Sequence, residues 1–429
     1  MGSRNHESVV EGRPAAAGAE DDDQAGDWQR PRGKIALVLA GGGARGAYEV
    51  GVLSALAPVL EARGERVEIV VGTSAGALNA AHLAASAHLT LTAAVDDGME
   101  AWRTLRYRDV TRSLLSPRAL GRLARFIATV VGAPVTEVRS LLDTTPLRAT
   151  LHRLICFERI ADNVADGALA LKAAAVVATS YETGRSVVFH HGGETPPTNL
   201  DRGIDFVETE LDDVHLRASA AIPVVFPAVE VTHPESVGGW YGDGGTRLNA
   251  PLEPALALGA ERVIVIGMNS SLTPDDAPLP SRPDLLDGAA SLLGVLADQL
   301  TSDVATLTSI NEAAGDDGVR DAPGEPRRKL IPYIFIVPRD RLTIGGIARE
   351  VYKRRYGKPR ALLRAPNVAL LGRILDASCN SMHGELFSYL FFAREFIDEL
   401  IELGRQDAER WLAEQHEDWP WRHGRPPGV

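Results

Sequence analysis

The chain has 429 residues, and 45% of them are hydrophobic, which is enough apolar material for a large buried core. Its formal net charge of -12 argues against general binding of nucleic acid. The two cysteines, Cys156 and Cys379, do not have the spacing of metal ligands and are too few for a disulfide framework, so we expect neither a structural zinc site nor disulfides.

Residues 1–32 predict a disordered tail, because they combine an acidic run with alanine, glycine and proline and contain few large apolar side chains. The N-terminus lacks the charged-then-apolar pattern of a secretory signal. No apolar run is long enough to span a bilayer. We therefore expect a cytoplasmic location, with any contact with lipid being peripheral.

Short apolar runs alternate with helical patterns after this tail. Residues 35–40 and 67–71 predict buried strands, and residues 47–60 and 75–87 predict helices. This alternation indicates an α/β fold with a mostly parallel sheet, layered between helices as α/β/α. If the two strands are neighbours, the loops that follow them meet at the carboxyl edge of the sheet, where α/β sites usually form.

Further elements follow in the rest of the chain. Helices broken at Pro117, Pro134 and Pro146 are predicted over residues 97–160. The remaining predictions are a hairpin (171–180 and 186–190), a strand (262–268), a linker (273–284), a helix (287–314), a polar loop (315–328), a strand (330–337), helices from 367 through 412 and a terminal tail (416–429).

The segment Gly72-Thr73-Ser74-Ala75-Gly76 is a G-x-S-x-G between a predicted strand and a predicted helix. A tight turn there presents the serine hydroxyl in a strained position, and the glycines remove side chains that would clash. The helix N-terminus favours developing negative charge. Alternatively, Ser74 is only the N-cap of the helix after a glycine turn.

A glycine-rich loop follows the first predicted strand. It consists of Gly41, Gly42, Gly43, Ala44, Arg45 and Gly46. Its G-x-G-x-x-G spacing allows a dinucleotide site, but that site needs an acidic residue at the end of the second strand, and Glu68 lies inside the strand. The alternative is an oxyanion hole of exposed backbone N–H groups, with Arg45 adding charge or holding the shape of the loop.

A serine nucleophile needs a proton acceptor. Asp243 is a candidate because Gly242, Gly244 and Gly245 form a close-approaching turn around its carboxylate, although an ordinary Asp-Gly turn has the same pattern. Desolvation beside Ser74 would raise its pKa and suit it to a general base. The second candidate is a histidine that follows in the chain, and His383, His416 and His423 qualify, with His383 the one inside a clear helical pattern.

Four segments in this order resemble the patatin-like phospholipase family. They are the glycine loop, the serine turn, Ala218-Ser219-Ala220-Ala221-Ile222-Pro223-Val224-Val225-Phe226-Pro227, and Asp243-Gly244-Gly245, with Asn249-Ala250-Pro251 after the last. The similarity covers residues 34–270. We therefore expect a catalytic domain over residues 33–270 that includes a helical cap or lid over 97–160, followed over 271–415 by an extension of helices and one strand that packs on the same domain.

The resemblance implies a catalytic dyad of Ser74 and Asp243 and an oxyanion hole formed by the N–H groups around Gly42 and Gly43 with Arg45. It implies hydrolysis of acyl esters of phospholipids, lysophospholipids or glycerides, with no metal and no organic cofactor. Two alternatives stay open: an acyltransferase that uses the same acyl-enzyme, and a catalytically silent protein that binds lipid or a partner.

Two stretches of this acidic chain are basic and contain interspersed leucines. They are Arg103, Arg106, Arg108, Arg112, Arg118, Arg122 and Arg125, and Arg349, Lys353, Arg354, Arg355, Lys358, Arg360 and Arg364. Basic amphipathic segments bind anionic lipid surfaces, so we hypothesise that residues 103–130 form a mobile lid or wall over an acyl pocket. Alternatively, these arginines pair with the acidic body of the protein.

Overall fold

The computed structural model of the protein describes residues 33–130, 140–268, 288, 307–308, 311, 330–377, 381–414 and 419–424. The predicted tail over 1–32, the linker, the polar loop, Pro134, His416 and nearly all of the helix predicted over 287–314 lie outside these residues. Among the described helices, none is both long and apolar enough to cross a membrane.

The described strands form one nine-stranded sheet. They are β1 (Ile35–Leu39), β2 (Val67–Thr73), β3 (Ala173–Ser180), β4 (Ser186–His191), β5 (Ile204–Glu208), β6 (Val229–Val231), β7 (Gly239–Asp243), β8 (Arg262–Ile266) and β9 (Tyr333–Ile336). The order is β5-β4-β3-β2-β1-β8-β9, and the five strands from β3 to β9 in this order run parallel. The predicted hairpin is confirmed, since β3 and β4 are antiparallel.

The α-helices that the structure describes lie between and after these strands. They are α1 (Ala47–Ala62), α2 (Ala75–Ala85), α3 (Leu91–Thr104), α4 (Tyr107–Val110), α5 (Pro117–Val130), α6 (Thr145–Leu154), α7 (Glu158–Ala165), α8 (Asp213–Ser219), α9 (Leu252–Ala257), α10 (Thr343–Val351), α11 (Ala361–Arg364), α12 (Pro366–Ile374), α13 (Ser381–Ser388) and α14 (Arg394–Ala413).

The central strands β1 and β8 are buried along their whole length. Both faces of the sheet must therefore be covered, which explains why β1, and β8 after its first residue Arg262, are continuous apolar runs rather than alternating ones. The helices provide this cover, and the result is the predicted three-layer α/β/α fold.

The C-terminal part of the chain packs directly on this core. A Cβ atom on Gly51 of α1 would lie 2.2 Å from the carbonyl oxygen of Ile401, and one on Gly404 of α14 would lie 2.2 Å from that of Tyr48, so the two helices cross in close contact. Strand β9 pairs with β8 in the same sheet. Within the predicted terminal tail, Trp421 is fully buried, so that part of the tail is folded.

The register of three strands positions the serine turn. Strand β2 ends at Thr73, which pairs with Val177 of β3. Strand β7 arrives from the opposite direction and ends at Asp243, which pairs with the next residue of β3, Ala178. Strands β2 and β7 therefore meet end to end along β3. The sequence prediction of a glycine turn missed that β7 is a strand, although Asp243 does stand at its end.

Candidate active site

Ser74 occupies a strained turn between β2 and α2. Its φ of 52° lies in the left-handed region, which a residue other than glycine rarely adopts. A Cβ atom on Gly72 would lie 2.1 Å from the carbonyl oxygen of Gly76, and one on Gly76 would lie 2.3 Å from that of Leu39. Glycine is required at both positions for the strand and the helix to approach this closely.

The hydroxyl of Ser74 donates a hydrogen bond to Asp243. The distance from Oγ to Oδ2 is 2.7 Å, and the exposed fractions of the two residues are 4% and 5%. The other carboxylate oxygen, Oδ1, accepts a hydrogen bond of 2.7 Å from the backbone N–H of Gly245. This second bond fixes the plane of the carboxylate and points Oδ2 at the serine.

Burial raises the pKa of Asp243 to about 6, and the hydrogen bonds from Ser74 and Gly245 oppose that rise. An ordinary aspartate has a pKa near 3.9 and is a weak base. A carboxylate with a pKa closer to neutrality is still ionised at pH 7 and takes a proton more readily. The buried location therefore makes Asp243 a stronger base than an exposed aspartate.

The glycine loop between β1 and α1 lies beside the serine. Three of its N–H groups donate to carbonyl oxygens: Gly41 to Asn249 at 3.0 Å, Ala44 to Tyr389 at 2.9 Å, and Arg45 to Gly42 at 3.2 Å. In the described part of the chain, the N–H groups of Gly42 and Gly43 have no acceptor. These two N–H groups are therefore the donors of the predicted oxyanion hole that an incoming carbonyl oxygen could use.

The guanidinium of Arg45 contacts the C-terminal part of the chain. The residue is 1% exposed; its Nε donates to Ser388 Oγ at 2.7 Å and its Nη2 to the carboxylate of Glu385 at 2.5 Å. It also stacks 4.0 Å from the ring centre of Tyr389. Of the two predicted uses of Arg45, this geometry fits the one in which it holds the shape of the loop.

The other glycine-loop and turn residues have structural partners. A Cβ atom on Gly46 would lie 2.6 Å from the ring of Trp102, and one on Gly244 would lie 2.3 Å from the carbonyl oxygen of Val177. Thr73 anchors the end of β2 by donating from Oγ1 to the carbonyl oxygen of Leu248 at 3.0 Å. Ala75 opens α2 directly after the serine.

Two residues that support the site received no role from the sequence. Ser219 accepts a hydrogen bond of 2.8 Å from the Ser74 N–H and donates one of 2.6 Å to the carbonyl oxygen of Val177. The backbone carbonyl oxygen of Asn249 accepts a hydrogen bond from the N–H of Gly41. Both belong to segments that resemble the family, and that resemblance was the one signal available for them.

The two candidate histidines that the structure describes, His383 and His423, have partners away from this pair. His383 is buried in α13, with Nδ1 3.3 Å from the carbonyl oxygen of Asp376. His423 contributes its carbonyl oxygen to the side chain of Asn311. The side-chain partners of the Ser74 and Asp243 pair are each other and Gly245, so no histidine in the described chain occupies the position of the base.

Two apolar cavities open from Ser74. Cavity 1, of about 80 Å³, runs between α2, α3 and α6, and cavity 2, of about 650 Å³, lies between the glycine loop and the C-terminal helices. Gly43, Ser74 and Ile222 line both. Cavity 1 is also lined by Leu78, Ala101, Trp102, Leu105, Val110, Leu147, Leu151 and Phe226; cavity 2 by Gly42, Leu114, Ala119, Leu142, Val225, Asp243, Leu371, Ile374 and Leu386.

Residues 103–130 form part of the walls of both cavities. Leu105 and Val110 face cavity 1, and Leu114 and Ala119 face cavity 2. The side chain of Asn367 accepts hydrogen bonds from Ser113 and Leu114, which ties this segment to the C-terminal part. The segment therefore encloses the space next to Ser74, as a wall of the predicted pocket would.

The seven arginines of this segment differ in their surroundings. Arg103 pairs with Asp398, and both Arg112 and Arg122 lie within ion-pair distance of Asp143, as the alternative of pairing with the acidic body requires. Arg108 and Arg118 are exposed.

One group of possible metal ligands occurs in the described chain, formed by His152, Asp212 and Asp213. Asp213 already pairs with Arg217 at 2.6 Å and lies 3.4 Å from Arg148. Two guanidinium groups beside the central carboxylate oppose the binding of a cation. This group lies outside both cavities that reach Ser74.

Comparison with known proteins adds a family match. A model of the patatin-like phospholipase family matches residues 37–256. Among solved structures, the chain is similar to the crystal structure of VipD from Legionella pneumophila, with 15% identity and a TM-score of 0.26, over 72% of this chain and 61% of that one. The chain thus spans less than two thirds of the length of that structure. No curated protein matches the chain.

Proposed function

The chain belongs to the patatin-like phospholipase family, and we propose from this premise that it is a lipid acyl hydrolase with Ser74 as nucleophile and Asp243 as general base. The observation that carries the proposal is the 2.7 Å contact between Ser74 Oγ and Asp243 Oδ2. This distance is within the range from which a carboxylate can remove the proton of a hydroxyl.

Acylation follows from this geometry. Ser74 Oγ bonds to the carbonyl carbon of the ester while Asp243 takes the hydroxyl proton. The carbonyl oxygen becomes an oxyanion, and the free N–H groups of Gly42 and Gly43 donate to it. When the bond to the alcohol oxygen breaks, Asp243 returns the proton to that oxygen, so that the alcohol leaves neutral and the acyl group stays on Ser74.

Deacylation reverses these roles with water in place of the alcohol. Asp243 removes a proton from water as the water oxygen bonds to the acyl carbon. The bond to Ser74 Oγ then breaks, Ser74 regains a proton from Asp243 and the free fatty acid is released. These two steps require no further titratable group, because the carboxylate of Asp243 serves first as base and then as acid in both acylation and deacylation.

The walls of the two cavities support a fatty-acyl ester as substrate. Among the described residues that line them there is one carboxylate, that of Asp243, and there is no lysine or arginine. Apolar walls of this kind bind hydrocarbon by removing it from water. The substrates proposed are therefore carboxylic esters of phospholipids, lysophospholipids or glycerides.

We also propose that the protein works at the surface of a membrane. The exposed arginines Arg108 and Arg118 lie on the segment that walls both cavities, and cationic side chains are attracted to anionic lipid headgroups. A surface held against a bilayer at this segment would bring the lipid next to Ser74.

The test is release of fatty acid from phospholipid and glyceride substrates by wild type, Ser74→Ala and Ser86→Ala. Ser86 follows the last turn of α2 and serves as a matched control. We expect Ser74→Ala to abolish release while Ser86→Ala leaves it unchanged. Equal release by all three proteins would refute Ser74 as nucleophile, and transfer of the acyl group to added lysolipid with no free fatty acid would identify an acyltransferase instead.

A further inference from the structure

The two cavities differ in their relation to the catalytic carboxylate. Both begin at Ser74, but Asp243 and Gly245 line cavity 2 and are not part of the wall of cavity 1. An ester bound with its carbonyl carbon at Ser74 Oγ has two arms, the acyl chain and the alcohol portion. The two cavities provide one compartment for each arm.

The chemistry of the reaction decides which arm lies in which cavity. The alcohol oxygen must accept a proton from Asp243 as it leaves, and the water that follows must give a proton to Asp243. Both must therefore occupy the side of Ser74 that Asp243 faces, which is cavity 2. The acyl chain stays bonded to Ser74 through both steps and needs no contact with Asp243, so it lies in cavity 1.

Cavity 2 is much larger than a small alcohol needs. Its volume of about 650 Å³ lies in the range of about 300–1,000 Å³ that is typical of pockets for drug-sized ligands, which is far more than water or a short alcohol fills. Leucines from three separate parts of the chain line it, among them Leu114, Leu142 and Leu371. An apolar compartment of this size on the leaving-group side binds a leaving group that itself carries hydrocarbon.

Resting on the proposed function, we propose that the preferred substrates are lipids with at least two long hydrocarbon chains, the chain to be released in cavity 1 and the second, on the alcohol portion, in cavity 2. A phospholipid with two chains or a diglyceride meets this requirement, and a lysophospholipid does not. Cavity 2 is thus a specificity site for the part of the lipid that is not hydrolysed.

The test uses soluble glycerophosphocholines that carry one hexanoyl ester and one ether-linked chain, because an ether cannot be hydrolysed and therefore fixes which portion leaves. The ether chain is lengthened from methyl to hexyl below the concentration at which micelles form, with the ester on either glycerol carbon. Transfer of each methylene from water to an apolar site changes binding by about fourfold. We expect kcat/KM to rise at least tenfold over the series.

Two matched variants assign the cavities. Ala119 of α5 lines cavity 2 alone, and Ala101 of α3 lines cavity 1 alone. We expect Ala119→Phe to flatten the response to the ether chain and to leave unchanged the preference among p-nitrophenyl esters of different acyl length. We expect Ala101→Phe to do the opposite.

A flat response of the wild type to the ether chain would overturn the inference without any variant, and exchanged effects of the two variants would overturn the assignment of the cavities. In both cases p-nitrophenyl butyrate would still be hydrolysed in a manner that depends on Ser74, so the proposed function would stand. Absence of Ser74-dependent hydrolysis of every ester would defeat the proposed function and this inference together.

Discussion

Thr73 and Asp243 pair with consecutive residues of β3: Thr73 pairs with Val177, and Asp243 pairs with Ala178. The approach of Ser74 to Asp243 is therefore set by backbone hydrogen bonds in the sheet and not by flexible side chains. A substitution of the carboxylate should leave the turn in place, and this makes the chemistry of Asp243 separable from its structural role.

The pH dependence of hydrolysis follows from the buried state of Asp243. Because burial raises the pKa of Asp243 to about 6, the base is ionised above that pH and protonated below it. We expect kcat/KM for p-nitrophenyl butyrate to be constant near pH 8 and to fall to half near pH 6. Below pH 6 it should drop about tenfold for each unit by which the pH is lowered. A midpoint near pH 4 would show that the titrating group is an ordinary exposed carboxylate.

Asp243→Asn tests the base itself. The amide has the shape of the carboxylate and can still accept a hydrogen bond from Gly245, but it cannot take the proton of Ser74. We expect kcat to fall by a factor of about 10³–10⁴, the order seen when another hydrolase loses its triad carboxylate, with a melting temperature close to that of the wild type. Retention of more than a tenth of the wild-type kcat would contradict the assignment of Asp243.

The glycine loop offers a test of the oxyanion hole. A Cβ atom on Gly42 would lie 2.2 Å from Sδ of Met268, so Gly42→Ala must shift either the loop or this side chain. We expect a fall in kcat of about 10²-fold, the typical effect of losing one oxyanion donor, with little change in KM. Met268→Ala removes the obstacle, and the double variant should regain at least tenfold.

If the double variant is as slow as Gly42→Ala, displacement of the loop by Met268 is not the cause of the defect. Circular dichroism of all three variants shows whether the fold is retained.

Arg45 is expected to act through the position of the loop. Arg45→Ala leaves Glu385, which is 13% exposed, without its main partner, and breaking a buried ion pair in this way costs about 3–5 kcal/mol in the free energy of unfolding. The double variant Arg45→Met with Glu385→Leu removes both charges and should be more stable than Arg45→Ala. We expect it to retain measurable hydrolysis, because the guanidinium does not contact Ser74. A double variant that is as stable as the wild type but inactive would indicate a direct role in catalysis.

Contact with anionic membranes is tested by charge removal on the wall segment. Each cationic side chain near an anionic bilayer contributes about 1 kcal/mol, so Arg108→Gln with Arg118→Gln should weaken binding to phosphatidylserine vesicles by about 10–30-fold at low salt. Arg202, which is half-exposed and paired with Glu253, provides the control substitution. Equal binding of wild type and double variant would show that Arg108 and Arg118 do not contact the membrane.

Local patterns in the sequence predicted the elements whose residues interact with near neighbours or with a uniform apolar environment. Strand β1 is a continuous apolar run, β2 is one that is interrupted at Glu68, and the glycines around Ser74 mark the turn directly. By contrast, β7 contains Gly239 and Gly242 and resembles a turn by composition. It is a strand because it pairs with β3 and β6, and such pairing depends on residues far away in the sequence.

The same limit applied to the glycine loop. The pattern Gly41–Gly46 allowed a dinucleotide site or an oxyanion hole, and the local sequence did not decide which N–H groups are free. Residues far away in the sequence decide this, since the carbonyl oxygen of Asn249 accepts the N–H of Gly41 and that of Tyr389 accepts the N–H of Ala44. Contacts at this separation leave no periodic or local mark in a single sequence.

The central claim is that Ser74 is activated by Asp243 without a histidine, and covalent labelling by a fluorophosphonate tests it most directly. The rate of labelling and the labelled peptide, identified by mass spectrometry, are compared among wild type, Asp243→Asn and His383→Ala. We predict rapid labelling of Ser74 in the wild type and in His383→Ala and a loss of labelling in Asp243→Asn. Folded His383→Ala that no longer reacts, together with normal labelling of Asp243→Asn, would contradict the account.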